Sequence, residues 1–166
     1  MTAVQGRADR LVELLGEREL DSLLVTDLVN VRYLTGFTGT HGACVLTPDE
    51  RVFLTDFRYV EQAAGQVRGF EALPAGRDLA ADLAIRLRGR AGFDDAGLSV
   101  RTHAKLLEKV GAGVELVAAG GLVERLRASR TGPSWPRSPP RRSWPRRLSS
   151  ACSSAAWRAG TSAPWL

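Results

Sequence analysis

A histidine and a cysteine three residues apart, His41 and Cys44, close a glycine-spaced run that reads Gly36-Phe37-Thr38-Gly39-Thr40-His41-Gly42. Such residues serve two chemistries: a Cys–His pair generates a thiolate nucleophile, and a glycine loop cradles phosphate with backbone N–H groups. The spacing fits neither. Dinucleotide loops need G-x-G-x-x-G and P-loops need G-K-[ST] after their glycines, whereas these glycines recur every third residue. Cys44 sits in the apolar run Ala43-Cys44-Val45-Leu46, which predicts a buried strand and an inert thiol. At the mouth of such a strand the side chains of His41 and Cys44 need not meet. The glycines are then accounted for by turns and close backbone approach leading into the strand.

Asp56 and Arg58, in Thr55-Asp56-Phe57-Arg58-Tyr59, are either substrate-contacting charges or a helix cap with an ion pair. An aspartate N-cap accepts a backbone N–H and complements the helix dipole, so the cap requires no substrate. Arg58 and Tyr59 are the best polar candidates for a subunit or domain interface. His103 shares a predicted helix face with Leu106, Leu107 and Val110, which points to a core histidine rather than a ligand.

The elements that position these residues alternate between helical and extended periods from residue 1 to about 127, the pattern of an α/β domain. Leu11, Leu14 and Leu15 line one face of a first helix, and Ser22–Thr26 is a short apolar strand. Asp27 as N-cap and Gly36 as the left-handed stop bound a short helix. Residues 43–47 and 51–55 form a hairpin about Pro48-Asp49-Glu50. Asp56 opens a second helix and residues 70–73 a strand. Asp78 caps a helix with Leu79, Leu83 and Leu87, and a strand starts at Gly92-Phe93. Thr102 caps a further helix, 114–118 is the last strand, and 121–127 the last helical turns.

The chain has 166 residues, room for one ordinary domain with a real core, and 44% of them are hydrophobic. The N-terminus carries charges where a signal peptide needs an apolar centre, and two cysteines make no disulfide framework, so a cytoplasmic setting is expected. The formal charge of +5 is unevenly spread. Residues 1–130 hold 17 basic and 18 acidic side chains, whereas residues 131–166 hold six arginines and no acid. Basicity therefore belongs to the tail, whose Arg, Pro, Ser and Trp composition predicts disorder or loose structure over 128–166. Arginines interleaved with Trp135, Trp144 and Trp157 imitate a single-strand nucleic-acid binder. A GC-rich frame shifted by one base gives the same composition without selection for binding, so a nucleic-acid role is not expected.

The runs 24–47 (LVTDLVNVRYLTGFTGTHGACVLT) and 53–63 (FLTDFRYVEQA), with the later Gly92-Phe93-Asp94-Asp95 and Leu122–Arg127, resemble the N-terminal domain shared by creatinase, prolidase and Xaa-Pro aminopeptidases. The likeness covers roughly residues 4–127. It implies an α/β domain with a mixed six-stranded sheet flanked by helices, preceding a larger catalytic domain. In complete relatives that second domain holds two divalent metals, manganese or cobalt, on two Asp, one His and two Glu, and their bridging water cleaves the bond before proline. No catalytic or metal-binding residue is therefore expected in this chain, which has no acid beyond Glu124. The resemblance implies a non-catalytic domain that pairs subunits, as a homodimer or with a peptidase catalytic domain, and walls a cleft for short Xaa-Pro peptides. Phe37, Thr40 and His41 would face that cleft and Arg58 and Tyr59 an interface. The alternative is a stand-alone module partnering another peptidase subunit.

Relatives continue beyond this point with an acidic linker helix; here Ser-Trp-Pro occurs twice, at 134–136 and 143–145. Codons for Glu-Leu-Ala read one base late give Ser-Trp-Pro, so a change of frame near residues 128–130 is expected, with truncation before the catalytic domain.

Overall fold

The structure, a computed structural model, describes residues 3–128. The predicted basic tail, apart from Ala128, and the frame change expected at its start lie outside the described residues.

Six short strands, β1 (Ser22–Val25), β2 (Ala43–Leu46), β3 (Arg51–Thr55), β4 (Glu71–Pro74), β5 (Arg90–Phe93) and β6 (Glu115–Ala118), form one sheet in the order β4-β3-β2-β1-β5-β6. Only the two pairings made by β2 are antiparallel, so the other five strands point the same way and their carboxyl ends share one end of the sheet. The hairpin predicted about residues 48–50 is the β2–β3 pair, with Cys44 opposite Phe53 and Ala43 opposite Leu54.

Six helices cover the sheet: α1 (Ala3–Glu17), α2 (Leu28–Thr35), α3 (Val60–Gln66), α4 (Leu79–Ala84), α5 (Val100–Lys109) and α6 (Leu122–Ala128). Successive strand side chains point to opposite faces. Leu23, Val25, Cys44 and Phe53 accordingly meet Leu11, Leu15, Val31, Leu34 and Leu126 from the layer of α1, α2, α3 and α6. Leu24, Val45, Val52 and Leu54 meet Ala80, Leu83 and Leu106 from α4 and α5. Burial on both faces is why β1 and β2 read as unbroken apolar runs rather than alternating ones. The mixed six-stranded sheet flanked by helices is thus present.

The predicted caps of α2 hold in detail. Asp27 accepts from the backbone N–H of Val29 and Asn30 at 2.9 and 3.0 Å, and Gly36 stops the helix at φ +84°, with its N–H donating to the Arg32 carbonyl at 2.9 Å. Several element ends shift by one residue, and three boundaries differ for a physical reason. The helix after Asp56 starts as a 3₁₀ turn, Phe57–Tyr59, before α3. β5 starts at Arg90 rather than Gly92, because the Arg90 N–H is tied to the Asp21 carboxylate at 2.7 Å and Arg90 pairs with Glu115. Ser99, not Thr102, caps α5: its hydroxyl accepts from the Thr102 N–H at 3.1 Å, placing Thr102 in the first turn. On α5 the predicted apolar face is narrower than expected, since Leu106 is fully buried and Leu107 is 53% exposed.

Candidate functional site

The glycine run is a loop that carries the chain from α2 into β2 and is fastened to the segment after β3. Phe37 turns inward and is 1% exposed, its ring 4.7 Å from that of Phe53 and edge-on to Tyr59 at 5.8 Å. In this fold it therefore anchors the loop and offers no surface to a cleft. The space a side chain at Gly39 would need is filled by the Phe37 and Tyr59 rings, and that at Gly42 by Phe53, 2.6 Å away. Close approach explains both glycines.

The rest of the loop is held by polar contacts. Thr40 Oγ1 and Tyr59 Oη are hydrogen-bonded at 2.7 Å, and the Thr55 hydroxyl donates to the His41 carbonyl at 2.5 Å. Gln66 Oε1 accepts from the Thr38 N–H at 2.9 Å. His41 Nδ1 stands 3.3 Å from Asp56 Oδ2, within ion-pair reach although out of hydrogen-bond alignment. Asp56 also accepts from the Arg58 N–H at 2.9 Å, as a cap, and from Arg58 Nη2 at 2.6 Å. The cap and ion pair are both present. Arg58 holds the Asp56 carboxyl below the ordinary aspartate range, and Asp56 in turn raises the guanidinium. Thr40, His41, Arg58 and Tyr59 are thus gathered at one end of the sheet, with Phe37 beneath them.

No Cys–His nucleophile is assembled. Cys44 is fully buried in β2, and its thiol is pushed far above the ordinary range, first by burial and then by the negative charge of Asp94. His41 faces Asp56 instead. His103 is half-buried against Phe93, ring centroids 5.1 Å apart.

An open groove of about 850 Å³ lies at this end of the sheet. Thr40, His41 and Asp56 form one wall, and Arg77, Asp78 and Lys105 the other. The second wall was not foreseen from the sequence, because residues 75–78 follow β4 and Lys105 belongs to α5, so only the packing of α4 against α5 unites them.

Asp94, at the end of β5, was also missed as a working residue. It is 5% exposed and accepts from the Thr26 and Asp27 N–H groups at 2.9 and 2.6 Å and from the Thr26 hydroxyl at 2.7 Å. Burial is the largest influence on its carboxyl and raises it, while these hydrogen bonds pull the other way. The carboxylate stitches β5 to the turn after β1 and so sets where α2 and the glycine loop begin.

Among the described residues no group of three His, Cys, Asp or Glu side chains is placed to hold a metal ion, and residues 129–166 contain no Asp, Glu or His.

Comparison with known proteins gives a consistent pattern. The family model of the creatinase/prolidase N-terminal domain matches residues 7–129. An uncharacterized peptidase, YqhT, of Bacillus subtilis is 38% identical over 125 residues, which are 73% of this chain and 35% of that protein. The N-terminal domain of the cytoplasmic peptidase PepQ from Mycobacterium tuberculosis superposes with a TM-score of 0.68 at 37% identity, covering 74% of this chain and 98% of that structure. An Xaa-Pro dipeptidase from Bacillus anthracis gives the same TM-score at 29% identity, covering 75% of this chain and 36% of that one. The chain thus spans about a third of the length of the full peptidases it matches. With its six-stranded sheet, its capped α2 and its glycine loop matched throughout residues 7–129, the chain belongs to the creatinase/prolidase N-terminal domain family.

Proposed function

We propose that this chain serves as the non-catalytic N-terminal part of an Xaa-Pro peptidase of the aminopeptidase P or prolidase type, where it pairs subunits and walls the substrate cleft. The observation that carries this reading is the loop over residues 36–42. It is pinned to the core through Phe37, to the 3₁₀ turn through Thr40 and to β3 through the His41 carbonyl, so it presents a fixed rather than a pliable edge. Beside it Phe57 is 83% exposed and Leu28 38% exposed. Single exposed apolar side chains are ordinary, but apolar residues next to a rigid polar loop suit burial against another protein surface. The partner is a second copy of the chain or a peptidase catalytic domain, and the peptide faced by Thr40 and His41 is a short one with proline second. Any divalent ions belong to that catalytic domain. A cytoplasmic setting is part of this reading, supported by the cytoplasmic relative PepQ and by Cys44 kept as a buried thiol. No helix among the described residues is long and apolar enough to cross a membrane.

Sedimentation velocity tests the pairing role. The chain is expected to self-associate with rising concentration, and Phe57→Ser, an exposed change that leaves the core intact, is expected to weaken association. A chain that stays monomeric at every concentration contradicts pairing with a second copy and leaves a peptidase catalytic domain as the partner.

A further inference from the structure

We propose that the groove at the carboxyl ends of β3 and β4 binds a small organic anion, a carboxylate or a phosphate group carried on an apolar body. This inference stands on the charges and shape of the groove and does not depend on the family reading above.

Its position is the first argument. In open α/β sheets ligands bind in the crevice beyond the carboxyl ends of the strands, where successive crossovers leave in opposite directions. Here α3 carries β3 outward to β4 on one face and α5 carries β5 outward to β6 on the other, so the crevice falls between those ends. The groove of about 850 Å³ reaches there through Thr26 and Leu28 after β1 and Ala43 at the start of β2, and extends across the ends of β3 and β4 against α4 and α5. That volume lies within the range of small-molecule pockets.

Charge is the second. The groove's two carboxylates are already matched from outside it. Asp56 is held by Arg58 at 2.6 Å, and Asp78 by Lys109 at 3.0 Å while it also caps α4 through the Ala80 N–H. Arg77 and Lys105, which face the groove, have no acidic partner among the described residues. Two cations are thus left over for a ligand. His41, half-buried in the lining, adds a third polar group.

The floor is apolar: Leu28, 38% exposed, and the half-buried Leu79 lie over the buried Ala43, Ala80 and Leu83, and Phe57 stands exposed at the rim. An inorganic ion would use the cations and leave this floor wet. An anion with an apolar body uses both, which is the usual division of labour in a small-molecule site.

Titration of the full chain with benzoate, phenyl phosphate and uncharged benzyl alcohol at constant ionic strength, followed by two-dimensional amide NMR, tests the assignment. Saturating shifts at Gly76, Arg77 and Lys105 are expected with one of the anions and not with the alcohol. The anion that saturates at lower concentration identifies the group as carboxylate or phosphate. The double variant Arg77→Gln, Lys105→Gln changes two exposed side chains and is expected to weaken binding about tenfold or more, the loss of one charged contact or two. Shifts that stay linear to the highest concentrations, an equal response to benzyl alcohol, or unchanged binding by the double variant would each overturn the proposal.

Discussion

Single residues decide more here than their types announce. Asp94 carries three hydrogen bonds in a nearly closed site, so Asp94→Ala strands the Thr26 and Asp27 donors and is expected to cost about 3 kcal/mol in a denaturant titration. A loss below about half a kcal/mol would mean that water replaces the carboxylate. Its carboxyl is raised above the ordinary 3.8, chiefly by burial, so between that value and the folded one the native chain holds the proton more tightly than the unfolded chain. The contribution of Asp94 is therefore fully present below 3.8 and declines as pH rises through the folded value. Asp94→Asn should flatten that part of the pH–stability curve, and an unchanged curve would assign the dependence to another group. At Cys44 the raised thiol predicts no reaction with a disulfide reagent in the folded state and stoichiometric reaction in denaturant. Cys44 could be read as inert from its apolar neighbours alone. Asp94 could not, since its partners lie 67 and 68 residues away and nothing local distinguishes it from the neighbouring Asp95.

At the scale of elements, legibility followed the range of the interaction. Asp27, Asp56 and Asp78 cap the helices that follow them, because a cap is a bond to a backbone group two or three residues on. Gly36 is a stop because only a residue that accepts positive φ ends a helix this way. Local sequence does not separate Ser99 from Thr102. Both are good caps, their hydroxyls lie 2.8 Å apart, and the choice between them rests on where α5 docks on the sheet. The start of β5 was likewise set by its neighbours, Asp21 and Glu115, which no window of sequence contains. Two glycines of the loop give contrasting predictions. Gly36→Ala strains a left-handed residue and should cost about 1 kcal/mol. Gly42→Ala drives a methyl against the Phe53 ring and toward the Leu54 carbonyl, 3.3 Å away, and should cost about 1–3 kcal/mol while shifting the amide signals of the 36–42 loop. Equal and negligible costs at both sites would show that the loop is loosely held.

For the whole molecule, the donor chemistry sets the limit. Residues 3–128 fold into a three-layer α/β domain in which Asp27 serves as a cap, Asp94 as a strand tie and Asp56 in an ion pair. The remaining residues supply neither acids nor histidines for a metal centre. The chain matches about a third of each full peptidase named above and nearly the whole of the solved PepQ N-terminal domain. The proposed role, shaping a cleft rather than performing the hydrolysis, rests on the likeness to that N-terminal domain. The most direct test is to incubate the purified chain with manganese and an Xaa-Pro dipeptide and to follow release of free proline. No release above that of buffer with manganese alone is expected. Metal-dependent turnover that follows the chain through purification and is abolished by a chelator would contradict it.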